Sequence, residues 1–293
     1  MRLFVFGIGY TARAFIASQT ARWSRVSGTV RSADKATSLQ AQGIRAYPLA
    51  QDRDGEDLAS DIRLADAILV SAPPGPDGDP ILRRFGDAIA SGAKAAWIGY
   101  LSTTGVYGDR GGAWVDETVP VAPASRQSVQ RAAAERDWLA FGKDAGRAAH
   151  VFRLTGIYGP GRNALANLAQ GTAKRVIRQG QVFNRIHVDD IARILASSLE
   201  RPRGGAIYNV ADDEPAPPQD VIAYAARLAR VAAPPEIPIE RAELSPMSRS
   251  FYGENKRICN RLVKDELQVR LLYPTYREGL DALYAAGEFA RAP

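Results

Sequence analysis

The stretch LFVFGIGYTARAFIASQ, residues 3–19, restricts the fold more than any other part of the chain. An apolar run of strand length ends at Gly7, a second glycine follows at Gly9, and a helix-forming segment begins at once. In a strand–turn–helix of this kind the first glycine permits a sharp turn and the second lets the backbone approach a pyrophosphate. A small third residue, here Ala12, lets helix and strand pack closely. The free N–H groups and dipole at the helix start then face the phosphates. The motif stands in the context its chemistry demands, so Gly7, Gly9, Tyr10, Thr11 and Ala12 are expected to bind a dinucleotide.

The runs RLFVFG, VSGTV, GIRAYPL, DAILVSAPP, AAWIGYLSTTG and HVFRLTGIYG alternate with helical patterns. Such alternation predicts an α/β fold, a Rossmann-type doubly wound parallel sheet with helices on both faces. Strands covered on both sides read as unbroken apolar runs, as these do. After Gly161 the order changes to a helix from about Asn163, a strand-like QVFNRIHV, the helix DDIARILASSLE, then GAIYNVADDE and the amphipathic PQDVIAYAARLARV. The expected division is a nucleotide-binding domain over 1–161 with parts of 181–215, and a small substrate-binding lobe over 162–180 and 216–293.

The formal charge of +6 comes from 38 basic and 32 acidic residues spread along the chain without runs of one sign, which argues against nucleic acid as a partner. One cysteine, Cys259, excludes an internal disulfide, and His150 and His187 lie too far apart in sequence for a zinc-like cluster, so no metal is expected. The N-terminal apolar run is short and cut by glycines, unlike a leader, and no run approaches the roughly 18 apolar residues of a membrane span. The expectation is a cytoplasmic protein with a small-molecule substrate and no membrane partner. A monomer and a homodimer both remain open, because the helix SVQRAAAERDWLAF could pair with a second copy or pack on its own sheet.

Beyond the second strand an NAD-binding chain would place an acid for the ribose hydroxyls. This chain has GTVRSADK, with Arg31, Ser32 and Lys35 suited to a 2′-phosphate and Asp34 three residues late, so NADP(H) is favoured over NAD(H). Ser71, Ala72 and Pro73 begin the loop SAPPGPDGDP after the fourth strand and are expected to pass the cofactor.

GIGYTA, LSTTGVYGD, RLTGIYGPGR, IHVDDIA and YNVADDEP occur in the order and spacing of extended short-chain dehydrogenases/reductases, the group containing nucleotide-sugar epimerases and dehydratases. The chain resembles that family almost end to end, and NKRICNRLVKDEL with YPTYREGLDAL is similar to the ending of an atypical, YeeZ-like branch. The resemblance implies catalysis at the C-terminal edge of the sheet. It makes Thr103 the residue that hydrogen-bonds the substrate oxygen, with Thr104 beside it. It also places a Tyr-x-x-x-Lys pair on the following helix. Aligned on AAAE with Glu135 as the family's glutamate, Gln127 stands where the tyrosine belongs and Arg131 where the lysine belongs.

Gln127 can donate a hydrogen bond but cannot deliver a proton at accessible pH, whereas Arg131 keeps the cation and could hold ribose hydroxyls. General acid–base help is worth about 10²–10⁴-fold, so its loss cripples turnover unless another group substitutes. YGENK repeats the spacing at Tyr252 and Lys256, but in the small lobe, where both are substrate-contact candidates. Tyr107 and Tyr158 in the VYG and IYG loops, and Arg162 beyond them, are candidate substrate-lining residues. His187, just before Asp189 and Asp190 at a helix start, reads as a capping and orienting residue. Two functions compete: an NADP(H)-dependent oxidoreductase or epimerase-like enzyme on a small carbonyl or hydroxyl compound, and a catalytically inactive NADP(H)-binding redox sensor or regulator.

Overall fold

Leu3 and Val5 face one side of a central sheet and Phe4 and Phe6 the other, and all four are buried. The period-two alternation of an extended chain thus feeds two apolar layers from one strand. The computed structural model describes residues 1–49, 55–92 and 95–290. In chain order the strands are β1 (Arg2–Phe6), β2 (Arg25–Val30), β3 (Arg45–Pro48), β4 (Ala67–Val70), β5 (Trp97–Thr103), β6 (Trp114–Val115) and β7 (Ala148–Leu154). They continue with β8 (Gly156–Tyr158), β9 (Arg175–Ile177), β10 (Arg185–His187), β11 (Ala206–Val210), β12 (Glu236–Pro238) and β13 (Arg257–Ile258).

Seven of these form one sheet in the order β11-β7-β5-β4-β1-β2-β3, with every pair parallel. The chain winds outward in one direction from β1 and in the other from β4, so the crevice that binds ligands in open α/β sheets opens beyond the C-terminal ends of these two strands. One core layer joins the β1 side chains Leu3 and Val5 to Phe15 of helix Tyr10–Ser18 and to Ile191 and Leu195 of helix Val188–Glu200. The opposite layer joins Phe4 and Phe6 to Ile62, Phe85 and Trp138 from helices Glu56–Arg63, Pro80–Ser91 and Arg126–Asp144.

Two strand-like stretches of the sequence behave differently from the expectation. HVFRLTGIYG is not one strand: at Thr155 both the backbone N–H and the hydroxyl donate to the Val210 carbonyl, ending β7, and β8 leaves the sheet to pair with β10. Of QVFNRIHV only Arg185–His187 is extended, because the preceding residues are held by turns and side chains, Val182 N–H on Asn255 among them. The remaining pairs are β9 with β12 and β6 with β13, and β6–β13 joins the C-terminal segment to the loop after β5. Among the described residues no helix is long and apolar enough to cross a membrane, and no group of His, Cys, Asp and Glu could hold a metal.

Candidate cofactor and active site

Gly7 adopts φ +86°, and a Cβ placed on it would lie 3.0 Å from the Ala72 backbone nitrogen. Both facts require glycine, and the second brings the loop after β4 directly onto the turn after β1. Ser71 and Ala72 fix that loop by donating their N–H groups to the Phe6 carbonyl. The Gly7 N–H donates to Thr29 Oγ1 at 2.9 Å, and Ile8 N–H to the Thr29 carbonyl. Thr29 is wholly buried and was not legible as a turn-holding residue; neither was Gly28, where a Cβ would meet the Val5 carbonyl oxygen at 2.3 Å.

Gly9 caps helix Tyr10–Ser18, and a Cβ there would have only the Gly7 carbonyl oxygen within 4 Å, at 3.8 Å. The space in front of this helix start is therefore open, while Thr11 and Ala12 are buried behind it. These are the features that a dinucleotide pyrophosphate requires: free N–H groups, an unobstructed glycine and a closely packed small residue. The Tyr10 hydroxyl donates to the Pro160 carbonyl at 3.0 Å, and burial pushes its pKa up to about 12. Tyr10 consequently ties the glycine turn to the loop Gly159–Arg162.

Arg31 and Lys35 are exposed, and neither forms an ion pair among the described residues. Ser32 between them caps helix Ala33–Gln40 by accepting the Lys35 N–H, so the cap also orients the cations. A groove of about 780 Å³ runs along helix Tyr10–Ser18 from Gly9 and Lys35 down to Trp23 and Ile44. Its upper end meets the glycine turn, but Thr103, Gln127 and Arg131 do not line it, so its lower part lies away from the strand ends where chemistry is expected.

Thr103 closes β5. Its Oγ1 accepts the Gly105 N–H at 3.1 Å, which fixes the side chain and leaves the hydroxyl proton for another partner. Gln127 is exposed in the first turn of helix Arg126–Asp144. Arg131, one turn later, donates Nη1 to the Leu101 carbonyl at 2.6 Å and places its guanidinium 5.6 Å from the centroid of the Tyr100 ring. Nη1 also reaches the Tyr100 hydroxyl at 3.5 Å, and Nε and Nη2 have no hydrogen bond to the described residues.

Four expected substrate contacts turn out to be internal. The Tyr107 hydroxyl accepts from Arg153 and donates to Asn209 Oδ1, each at 2.8 Å, and the residue has no exposed surface. Thr104 is buried with its hydroxyl directed at the Leu154 carbonyl. Tyr252 packs on Phe183 in a small cluster with Val176 and Ala242. Lys256 donates to the Gly108 carbonyl at 2.7 Å and pairs with Glu254, fastening the segment before β13 to the VYG loop. Tyr158 and Arg162 do line a cavity, but a separate one, shared with helices Ala164–Ala169, Pro218–Ala229 and Tyr276–Ala285.

His187 Nδ1 accepts the Asp189 N–H at 3.2 Å, capping helix Val188–Glu200. Its ring stands between Tyr158 and Tyr273, and burial holds its pKa below the ordinary histidine value. Asp190 beside it accepts the N–H groups of Leu272 and Tyr273. This histidine orients a helix and is enclosed, so it is no base for the cleft.

Residues 81–211 match the model of the NAD dependent epimerase/dehydratase family. Over those residues the chain is similar to that family. It is 28% identical over 270 residues to Protein YeeZ of Escherichia coli K12, covering 88% of this chain and 93% of that one. A conserved protein of unknown function from Silicibacter pomeroyi DSS shares 47% identity at a TM-score of 0.87, over 98% of this chain and 99% of that structure. The UDP-glucuronic acid 4-epimerase of Bacillus cereus, solved with NAD, has the same fold at TM-score 0.77 but only 17% identity, over 97% of this chain and 96% of that one. The glycine turn lies at the β1–β4 crevice, the place where open α/β sheets bind their ligands.

Proposed function

We propose that the protein is an NADP(H)-dependent oxidoreductase or epimerase-like enzyme acting on a small carbonyl or hydroxyl compound through a non-standard active site. The observation that carries this reading is the turn itself, with Gly7 locked by Thr29 and Ala72 and Gly9 left open before a helix start. Gly7, Gly9, Tyr10 and Thr11 would hold the pyrophosphate, Arg31, Ser32 and Lys35 the 2′-phosphate, and Ser71, Ala72 and Pro73 the flank of the nucleotide. The nicotinamide, when bound, supplies or receives a hydride.

Thr103 donates its free hydroxyl proton to the substrate oxygen and polarises the carbon–oxygen bond. Arg131, anchored on Leu101, offers its remaining donors to the nicotinamide ribose. Gln127 positions a substrate oxygen or a water by hydrogen bonding, and the proton comes from that water or the substrate, since an amide has none to give. The test is NADPH oxidation against a panel of small carbonyl compounds, with Thr103→Val as the control variant. Turnover lost in that variant with cofactor affinity retained supports the reading.

A second reading, a redox sensor that binds NADP(H) without turnover, is favoured by one observation. The position that should hold the proton donor is an exposed glutamine with no hydrogen bond to the described residues. Tight NADPH binding with no oxidation across the panel would favour it.

A further inference from the structure

In the proposed reaction Thr103 gives up its hydroxyl proton and has to regain one at every turnover. The residue after Gln127 stands where it can supply it. Gln127 is exposed, whereas Ser128, the next residue of helix Arg126–Asp144, is buried against the end of β5. A Cβ on Gly105 would lie 2.7 Å from Ser128 Oγ and 3.4 Å from Thr103 Oγ1, so the two hydroxyls border one point and only glycine fits beside them.

The protons of these hydroxyls have one consistent order. A hydroxyl offers one proton and two acceptor sites. Ser125 caps the helix: its Oγ accepts the Ser128 N–H at 3.1 Å and donates its own proton to Ser128 Oγ at 2.9 Å. Ser128 Oγ is left with a proton that has no acceptor among the described residues. Thr103 Oγ1 accepts the Gly105 N–H at 3.1 Å and keeps one acceptor site free. The free proton and the free acceptor site face the same gap, which a single water can bridge. At the other end Ser125 is half-buried between the exposed residues Ala124 and Arg126, within reach of solvent.

We infer that Thr103, Ser128 and Ser125 form a proton relay from solvent to the reacting oxygen, doing here what a tyrosine at position 127 would do. The relay rests on the reading of the chain as an enzyme of small carbonyl or hydroxyl compounds and supplies that reading with its proton. In a reduction the carbonyl carbon gains a C–H bond from the hydride of NADPH, which becomes NADP⁺, and the carbonyl oxygen gains an O–H bond from Thr103. Thr103 takes the Ser128 proton, Ser128 takes the Ser125 proton, and Ser125 takes one from water at the helix start. One proton leaves solvent in total, and all three side chains end as they began. An aliphatic hydroxyl is too weak an acid to part with its proton unless it receives another in the same event, so the transfers are concerted.

Two substitutions of Ser125 separate the relay from the helix cap. Asparagine caps a helix as well as serine does but has no hydroxyl proton to pass on, whereas threonine keeps both properties. With NADPH and glyceraldehyde, diacetyl or 4-nitrobenzaldehyde, kcat should fall about 10²-fold in Ser125→Asn and in Ser128→Ala, with KM and NADPH affinity unchanged, and Ser125→Thr should retain turnover. A crystal structure of the wild-type NADPH complex should show Thr103 Oγ1 and Ser128 Oγ in contact or joined by one water. Undiminished kcat in either Ser125→Asn or Ser128→Ala, or a gap bridged in neither way, overturns the relay alone. A protein that binds NADPH and reduces none of the three probes overturns the enzyme reading and the relay with it.

Discussion

The Glu135 carboxylate and the Arg153 guanidinium form a buried bidentate pair, with Oε2 and Nη2 2.7 Å apart. The pair joins helix Arg126–Asp144 to β7 beneath the Thr103 end of β5. Ser102 donates to the same carboxylate, and Arg153 continues through Tyr107 to Asn209. Removing one member strands the other charge, at a cost of about 3–5 kcal/mol, whereas replacing both with apolar residues of similar volume can be nearly neutral. Urea unfolding should therefore find Glu135→Leu strongly destabilised and Glu135→Leu/Arg153→Met substantially recovered. Equal losses in the two proteins would contradict the pairing.

Gly7 and Gly9 separate folding from binding. Gly7→Ala meets both a positive φ and the Ala72 backbone, and should cost about 1–3 kcal/mol of stability with loss of cofactor. Gly9→Ala has room within the protein, so unfolding should be little changed while its methyl group obstructs the pyrophosphate. Titration and thermal denaturation of the two variants read these effects independently. Gly9→Ala with unaltered NADPH affinity would refute the placement of the phosphates.

His150 should make the protein acid-sensitive. Its Nε2 accepts the Arg203 N–H, its Nδ1 faces Ser198, and burial lowers its pKa from 6.5 to about 4. Between these values the unfolded chain holds a proton on the ring that the folded chain does not. The His150 contribution is thus complete above pH 6.5 and lost as pH falls toward 4, by at most about 1.4 kcal/mol per pH unit. The buried carboxyls of Asp190 and Asp212 have raised pKa values and act in the opposite sense, so the measurement is a difference between proteins. Unfolding free energy across pH 7.5–4.5 (roughly the window between the two values) should fall more steeply for wild type than for His150→Gln. Parallel curves would exclude this role.

The outline of the fold was legible because its causes are local. Apolar strand runs, the Gly7–Gly9 turn and the His187 cap depend on residues close in sequence, and each stands where its spacing put it. The burial of Tyr107 and Lys256 is not legible in the sequence because their partners, Arg153 and Gly108, lie 46 and 148 residues away. A tyrosine in a VYG loop looks the same in sequence whether it faces a cleft or an arginine behind it. Thr29 was missed for the same reason: a threonine in an apolar strand gives no local sign that its hydroxyl will hold a glycine turn.

The proposal that Gln127 and Arg131 stand at the catalytic positions allows a gain-of-function test. Gln127→Tyr/Arg131→Lys restores a titratable hydroxyl beside a cation one helical turn away. If proton transfer limits turnover, NADPH oxidation of a carbonyl substrate should rise by about 10²–10⁴-fold, with a pH profile that the parent lacks. An unchanged rate in a protein that still binds NADPH would mean that proton transfer is not what limits it.

The central claim is that the exposed cations beyond β2 select the phosphorylated cofactor. Titrating NADPH and NADH into wild type and into Arg31→Ala/Lys35→Ala tests it most directly. The account predicts NADPH binding tighter than NADH by about tenfold or more in wild type, with the difference collapsing in the double variant and NADH affinity nearly unchanged. Equal affinities for the two cofactors in wild type, or a preference that survives removal of both cations, would contradict it.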